Sequence, residues 1–468
     1  MNIGLGARKM KIGLLPLYVK LYDDKLPNLR VRMDAFYEKI AEKFENKGFT
    51  VIRSEFCRLA EEFKKTVNNF EENQVDAIVT VHIAYSPSLE SVDALSATHL
   101  PVIVLDTTET YEFTNNQSPD EIMYCHGVHG VMDMCSMLTR RGKLYAIAAG
   151  HLDNSDCIDK ACGFVRAAVA AKAVALARVG LIGGKFDGMG DIQMPYKELE
   201  DRFGIKITEY TGGQMKYYSS LITEEEIENE KKLNSQKYDL DAGIIEEEYN
   251  ESVRSCLATR KFIKENGLTA FSVNFSNMGE SSGLSSMPFI EACKEMENGI
   301  GYAGEGDTMN AAFVGAFLKG YPETTFVEIF CPDWKNNMVF FSHMGEMNYR
   351  IAAIKPCIKR VGVNYSPGEY PYVGYTRMSG GKGVYVNISR GKEDYKMVIS
   401  SGEIVEYDND NFGDSMRGWM KLGTDCASFL EQYSIHGATH HSIFVYGASI
   451  SEIELFGKLL GLETIVIK

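Results

Sequence analysis

Apolar and polar positions along the first 150 residues alternate between two periods. Residues 11–18 (KIGLLPLY) form a short apolar run of the kind that fills a buried strand. Between 26 and 47, Val31, Met33, Phe36, Ile40 and Phe44 fall near the spacing of an amphipathic helix, and Gly48 stands where a C-terminal cap belongs. The alternation continues with strands predicted at 50–55, 76–83, 101–106 and 144–149, and helices at 59–70, 88–95 and 118–141. Apolar strands separated by amphipathic helices predict a parallel sheet covered on both faces. Ligands of such sheets gather beyond the carboxyl ends of the strands, so the loops after Tyr18, Ile83 and Asp106 are places to look.

An Ala-rich helix predicted at 156–179 leads into a second α/β unit. Its strands are predicted at 180–183, 205–210 and 270–275, and its helices at 221–234, 246–265 and 288–298. The charged run TEEEIENEKKL in the first of these helices reads as a solvated face. From about Thr324 the helical period fades. Strands are predicted at 326–331, 338–343, 352–358, 383–388 and 395–400, punctuated by Gly380, Gly381, Gly383 and Gly391, which predicts an antiparallel barrel or sandwich. A β-α-β pattern closes the chain at 442–446, 450–460 and 464–467. The expected fold class is α/β: two parallel-sheet, Rossmann- or flavodoxin-like domains at 1–175 and 176–323, followed by a β-rich mixed domain at 324–468.

Composition narrows the partners. Lys and Arg number 49 against 64 Asp and Glu, a net charge of −15, which disfavours phosphate backbones and anionic membrane surfaces and favours a small neutral or metal-bound ligand. The chain shows no run of 18 or more apolar residues and no secretory h-region near residue 1. The ten Cys residues form no CxxC, so a reducing, cytoplasmic setting is expected.

Three places combine His or carboxylate with unusual neighbours. In GYAGEGD, Glu305 stands between Gly304 and Gly306, which let the backbone hold a carboxylate in a defined place. In the apolar run FVEIF, Glu328 is desolvated unless paired or metal-bound, and His343 ends the following strand. His440 and His441 open HHSIFVY. Two Glu and one or two His from different elements suit Mn²⁺, Mg²⁺, Zn²⁺ or Fe²⁺. Taken alone, the residues read more readily as a solvent-facing Glu and a hydrogen-bonded core His. GGKFDGMG lacks the spacing G-x-G-x-x-G and reads as a tight turn or a loop near a ligand rather than a dinucleotide site.

The ordered series GYAGEGD, VEIF, SHM and THHSIF resembles the L-arabinose isomerase family of the wider arabinose/fucose isomerase group. The resemblance implies that Glu305, Glu328, His343 and His441 bind Mn²⁺ or another divalent cation, with Glu305 and Glu328 also catalytic. His440 is the near alternative to His441, since neighbouring strand residues point to opposite faces and only one can face an ion. It implies sugar contacts for Phe275, for Met189 in GGKFDGMGD, and for Tyr22, which with Leu21 matches part of the family's Gln-His-Leu-Tyr. His126, in CHGVHG, matches a His-Gly that reaches into a neighbouring subunit's active site, which implies a homo-oligomer, a hexamer by resemblance. The family's Leu-Glu-Val-Cys-Pro after SHM is here Gly345-Glu346-Met347-Asn348-Tyr349.

The function implied by this resemblance is that of a metal-dependent aldose–ketose isomerase acting on a free sugar, L-arabinose/L-ribulose-like or another such as fucose. It would work through an enediol or a hydride shift, since hydrogen must move between C1 and C2 with a Lewis acid on the oxygens and acid/base groups beside the carbons. A sugar-binding or sensor protein without catalysis, and a nicotinamide-dependent dehydrogenase, are the alternatives that a metal analysis discriminates.

Overall fold

Strands buried on both faces organise the amino-terminal part of the chain in this computed structural model, which describes residues 9–468. β1 (Lys11–Leu17), β2 (Thr50–Arg53), β3 (Ala77–His82), β4 (Val102–Asp106) and β5 (Tyr145–Ala149) form a sheet in the order β2-β1-β3-β4-β5. Every pairing is parallel, and Leu17 lies beside His82 at the carboxyl end. The apolar runs of β1 and β3 are almost wholly buried, as a sheet flanked by helices on both faces requires. Leu15, Phe63, Phe70, Val92 and Met134 fill one such layer. A side chain at Gly13 would meet the Phe70 ring at 2.6 Å, so that glycine lets helix and strand close up.

The helical stretch predicted at 118–141 is broken. A short helix, Ile122–Cys125, stops at His126, and a longer one runs Gly127–Arg140. The break lets Gly130 lie against the His82 ring, where a Cβ would stand 2.6 Å from His82 Cδ2. The Ala-rich helix is also shorter than predicted, Cys157–Val174. Residues 178 and 179 are taken by β6 (Arg178–Ile182), where Val179, Leu181 and Ile182 are buried in a sheet, and sheet burial overrides helix propensity. By chain contacts one compact unit ends at Val169 and another runs Ala170–Lys468.

The second unit begins with a four-stranded parallel sheet. β7 (Lys206–Tyr210), β9 (Ala270–Val273) and β10 (Gly301–Gly304) join β6 in the order β10-β9-β6-β7, while β8 (Asp239–Leu240) pairs elsewhere. Helix Thr308–Gly320 packs on β9 and β10 and also on β11 (Thr324–Asp333), and almost all of it is buried. The helix Glu224–Lys237 is not simply a solvated face. Glu230 and Asn234 are buried, and Glu230 pairs with Arg260 and Lys294 at 2.7 and 2.6 Å.

The β-rich region is a closed barrel. β12 (Met338–Phe341) follows β11. Next come β13 (Cys357–Arg360) and β14 (Tyr372–Tyr375), which form a small sheet with β8. β15 (Gly381–Arg390), β16 (Tyr395–Val405), β17 (Gly418–Leu422) and β18 (His441–Tyr446) complete a ring in the order β15-β18-β11-β12-β17-β16, closed by pairing of β15 with β16. β19 (Glu463–Ile467) adds in parallel to β16. Val327, Phe341, Tyr385, Met420 and Phe444 belong to its core. The strand predicted at 352–358 is not one: only Cys357 and Ile358 lie in β13, and Tyr349–Ile351 is a single 3₁₀ turn. The fold class is therefore α/β, with parallel sheets followed by an antiparallel barrel. Among the described residues no helix is long and apolar enough to cross a membrane.

Candidate metal and active site

Strand register assembles half of the site. β11 and β18 pair antiparallel so that Glu328 stands directly opposite His441, on the same face. The amide of Ser342 donates to the Glu328 carbonyl at 3.2 Å, which brings the end of β12, and with it His343, alongside. The β11–β12 register shifts between Ile329 and Cys331, one residue past Glu328. Such bulges re-aim side chains beside functional sites. His343 Nε2 lies 3.6 Å from Glu328 Oε2, too far for a hydrogen bond.

Glu305 arrives from the other architecture. It follows β10 at the carboxyl end of the parallel sheet, where such folds place ligands. Its φ of +63° is left-handed, an uncommon conformation for a residue with a side chain, and Gly306 beside it has φ +81°. At Gly304 a Cβ would stand 2.7 Å from His343 Cε1, so this glycine admits the imidazole against the strand end. Asp307 then caps helix Thr308–Gly320 by accepting from the Asn310 amide at 2.9 Å.

The structure brings together all four residues expected to bind metal, in two triads that share one histidine. Glu328, His343 and His441 offer donor atoms within 4.8 Å of one another, and so do Glu305, His440 and His441. Glu305 Oε2 is 3.4 Å from His441 Nε2 and 3.6 Å from His440 Nε2. Both histidines therefore face Glu305, contrary to the expectation that only one could. The reason is that β18 begins at His441, so His440 is free of strand alternation. Asp191 turns it inward, accepting from both its Nδ1 and its backbone amide, at 2.7 and 3.1 Å.

Each imidazole has a carboxylate on Nδ1: Asp191 for His440, Asp307 for His441 at 3.1 Å, and Glu346 for His343 at 2.7 Å. Burial opposes charge on His441, but Asp307 and Glu305 outweigh it and raise its pKa to about 9. His440, likewise desolvated, is raised to about 10 by Asp191 and Glu305. Its hydrogen bond in turn holds Asp191 down at about 2. Burial pushes Glu305 up, yet the adjacent His440, His441 and His343 imidazoles hold it well below the usual carboxylate range. Glu328, with burial dominant, lies above that range. His441 Nε2 is buried without a hydrogen-bond partner. An orphaned imidazole nitrogen between carboxylates fits a divalent cation, for which two carboxylates and two or three imidazoles are a suitable donor set.

The residues expected to touch a sugar fall in two places. Phe275 sits just beyond β9, its ring 5.3 Å from Phe186, and lines an apolar pocket with Met287, Phe289 and Met344. Met189 is half-buried on the loop that carries Asp191. Tyr22 and His126 belong to the amino-terminal unit, where Tyr22 Oη and His126 Nε2 are 2.8 Å apart. Asp191, Asp307 and Glu346 had no role assigned from sequence. Asp307 was legible as the capping residue of GEGD, and Glu346 stands three residues after His343, but Asp191 is 249 residues from the histidine it holds.

Comparison with known proteins gives a consistent picture. The model of the L-arabinose isomerase central domain matches residues 196–319, and that of the L-arabinose isomerase C-terminal domain matches 323–463. L-arabinose isomerase of Aeromonas hydrophila subsp. hydrophila is 22% identical over 415 residues, covering 85% of this chain and 82% of that protein. That of Geobacillus kaustophilus (strain HTA426) is 21% identical over 413 residues, covering 84% and 81%. Tyr302, Glu305 and Asp307 fall inside the first matched segment, and Glu328, His343, Glu346, His440 and His441 inside the second.

Proposed function

For this chain, which belongs to the L-arabinose isomerase family, we propose a divalent-metal-dependent isomerisation of a free aldose, L-arabinose or a close relative, to its ketose. That the protein is an aldose–ketose isomerase follows from its family; the metal, the residue roles and the sugar are our reading. The observation that carries it is the convergence of Glu305, Glu328, His343 and His441 around the unpartnered Nε2 of His441. These four would hold Mn²⁺. Bound there, the ion would supply Lewis-acid polarisation of the sugar's carbonyl and hydroxyl oxygens.

Glu305 and Glu328 reach the site from different elements, a sheet end and a barrel strand. One carboxylate can take a proton from the sugar carbon while the other serves the neighbouring oxygen, which is the proton traffic of an enediol route. Both are mostly buried yet remain partly open, with side-chain exposures of 11% and 20%, as groups that must meet a substrate require. The wall of Phe275, Phe186 and Met344 would lie along the sugar's apolar faces. Tyr22 and His126 would complete the site of a neighbouring copy, in a homo-oligomer that is a hexamer by resemblance.

The test is direct. Metal-stripped protein reloaded with Mn²⁺ is incubated with a panel of aldoses and ketoses, and ketose formation is followed. Turnover of one sugar that chelator abolishes and Mn²⁺ restores is the expected result. Stoichiometric binding of sugar without turnover under any divalent metal would leave a sugar-binding protein in its place. Light scattering that finds an active monomer would remove the shared-site reading.

A further inference from the structure

Glu346 is a carboxylate in an almost sealed interior, 1% exposed, three residues beyond His343. It has two partners. His343 Nδ1 lies 2.7 Å from Oε2, and the Tyr302 hydroxyl donates to Oε1 at 3.0 Å. Tyr302, at 1% exposure, is in β10, two residues before Gly304, so the same strand end that presents Glu305 also holds this carboxylate. Burial, with Glu346 adding to it, pushes the Tyr302 phenol well above its usual range, so it stays a donor. The imidazole is boxed on its other sides by Gly304, where no Cβ fits, and by the Phe326 ring, edge-on at 5.0 Å.

A buried carboxylate is costly even when partnered, and an apolar residue of similar volume would pack the same space at less cost. Here the charge has one geometric consequence. A carboxylate on Nδ1 fixes the tautomer that carries hydrogen there and leaves the Nε2 lone pair free. That Nε2 is the atom facing Glu328, 3.6 Å away and without a direct hydrogen bond.

We propose that Glu346, held by Tyr302, is a positioning residue that sets the tautomer and ring orientation of His343 for a divalent cation. The inference rests on the metal-site reading given above. Asp307 stands in the same relation to His441, but it also caps a helix, so changing it mixes two effects. Glu346 separates them.

Mn²⁺ affinity and stoichiometry are measured by calorimetry on metal-stripped full-length protein, alongside thermal unfolding of the same metal-free samples. Wild type should bind one equivalent per chain, and His343→Ala should lose it. Glu346→Gln keeps the shape and an oxygen acceptor but not the charge, and should weaken binding roughly tenfold. Glu346→Ala should weaken it roughly 10- to 100-fold. Tyr302→Phe should weaken it by a few-fold, with metal-free unfolding close to wild type. Glu346→Gln or Glu346→Ala binding Mn²⁺ as tightly as wild type, while His343→Ala does not, would overturn the positioning role and leave the site reading standing. Wild type without stoichiometric binding would overturn the site reading itself. If Glu346→Ala does not fold, Glu346→Gln and Tyr302→Phe decide: wild-type affinity in both overturns the proposal, and graded loss in folded protein supports it.

Discussion

Two parallel-sheet carboxyl ends in this chain collect very different side chains. Beyond β10 stand Glu305 and Asp307, and barrel residues add Glu328, Glu346 and three histidines, two of which carry strongly raised pKa values. At the end of the amino-terminal sheet, His82, Tyr22, His126 and His129 gather without a carboxylate bonded to any of their rings. Tyr22 pairs with His126, and His129 stacks on Tyr85 at 4.6 Å. Burial lowers His126 and drives His82 down to about 3. The same topological position therefore gathers carboxylates among imidazoles in one case and a carboxylate-free aromatic cluster in the other. What separates them is whether carboxylates face the imidazoles.

The largest effects should come from breaking the charged centre. Glu305→Gln and Glu328→Gln keep the shape and remove a proton acceptor, and turnover should fall roughly 10²–10⁴-fold with unfolding temperature little changed. Full activity in Glu305→Gln would sink the role given to that carboxylate. Next, His441→Asn should lower Mn²⁺ affinity by about 100-fold, whereas His440→Asn should lower it far less, because His441 alone belongs to both triads. Equal losses in calorimetry would make His440 a full ligand. At the neutral centre, His126→Ala or Tyr22→Phe should leave metal binding untouched and raise KM roughly tenfold, the scale of one or two hydrogen bonds. A change in Mn²⁺ affinity there would contradict the division of labour.

The smallest effect is one of pH, and its sign differs between the two regions. His82 is lowered in the folded protein, so between about pH 3 and 6.5 the unfolded chain binds more protons and stability falls as pH falls. From pH 6.5 to 5.5 the loss should be about 1 kcal/mol, and His82→Leu should remove this slope in urea titrations. His441 is raised, so in metal-free protein its contribution is complete below about pH 6.5 and is lost as pH rises towards 9. Because a ligand imidazole must be neutral, Mn²⁺ affinity should climb over that same interval. A flat affinity profile would count against His441 as ligand.

Much of this was legible in the chain. The strand–helix alternation of residues 11–149 identified the first sheet, since a buried parallel strand is an uninterrupted apolar run. The shift to short strands after Thr324 predicted an antiparallel barrel or sandwich, and the pairing of β15 with β16 makes it the barrel. Glu305 stood out by its glycines and Glu328 by its apolar neighbours. The helix Thr308–Gly320 left no periodic signal because it is buried nearly all round, against sheet and barrel strands alike. The Ala-rich helix was overextended because propensity continues past residue 174 while the sheet claims Val179.

By itself, then, the sequence determined most element types, the order of the two architectures, and Glu305, Glu328, His343 and the His440–His441 pair as places able to do chemistry, while the choice of four ion ligands among them came from the family resemblance. Those are local matters: periodicity, glycine punctuation and a carboxylate among apolar neighbours act over a few residues. Tertiary structure alone decided that Glu328 faces His441, that both histidines of the pair reach Glu305, and that Asp191, Asp307 and Glu346 each hold a ring nitrogen. Register and long-range pairing join residues 113 or 249 positions apart in the chain (441 − 328 and 440 − 191), and no pattern within either segment encodes which partner the fold will bring to it.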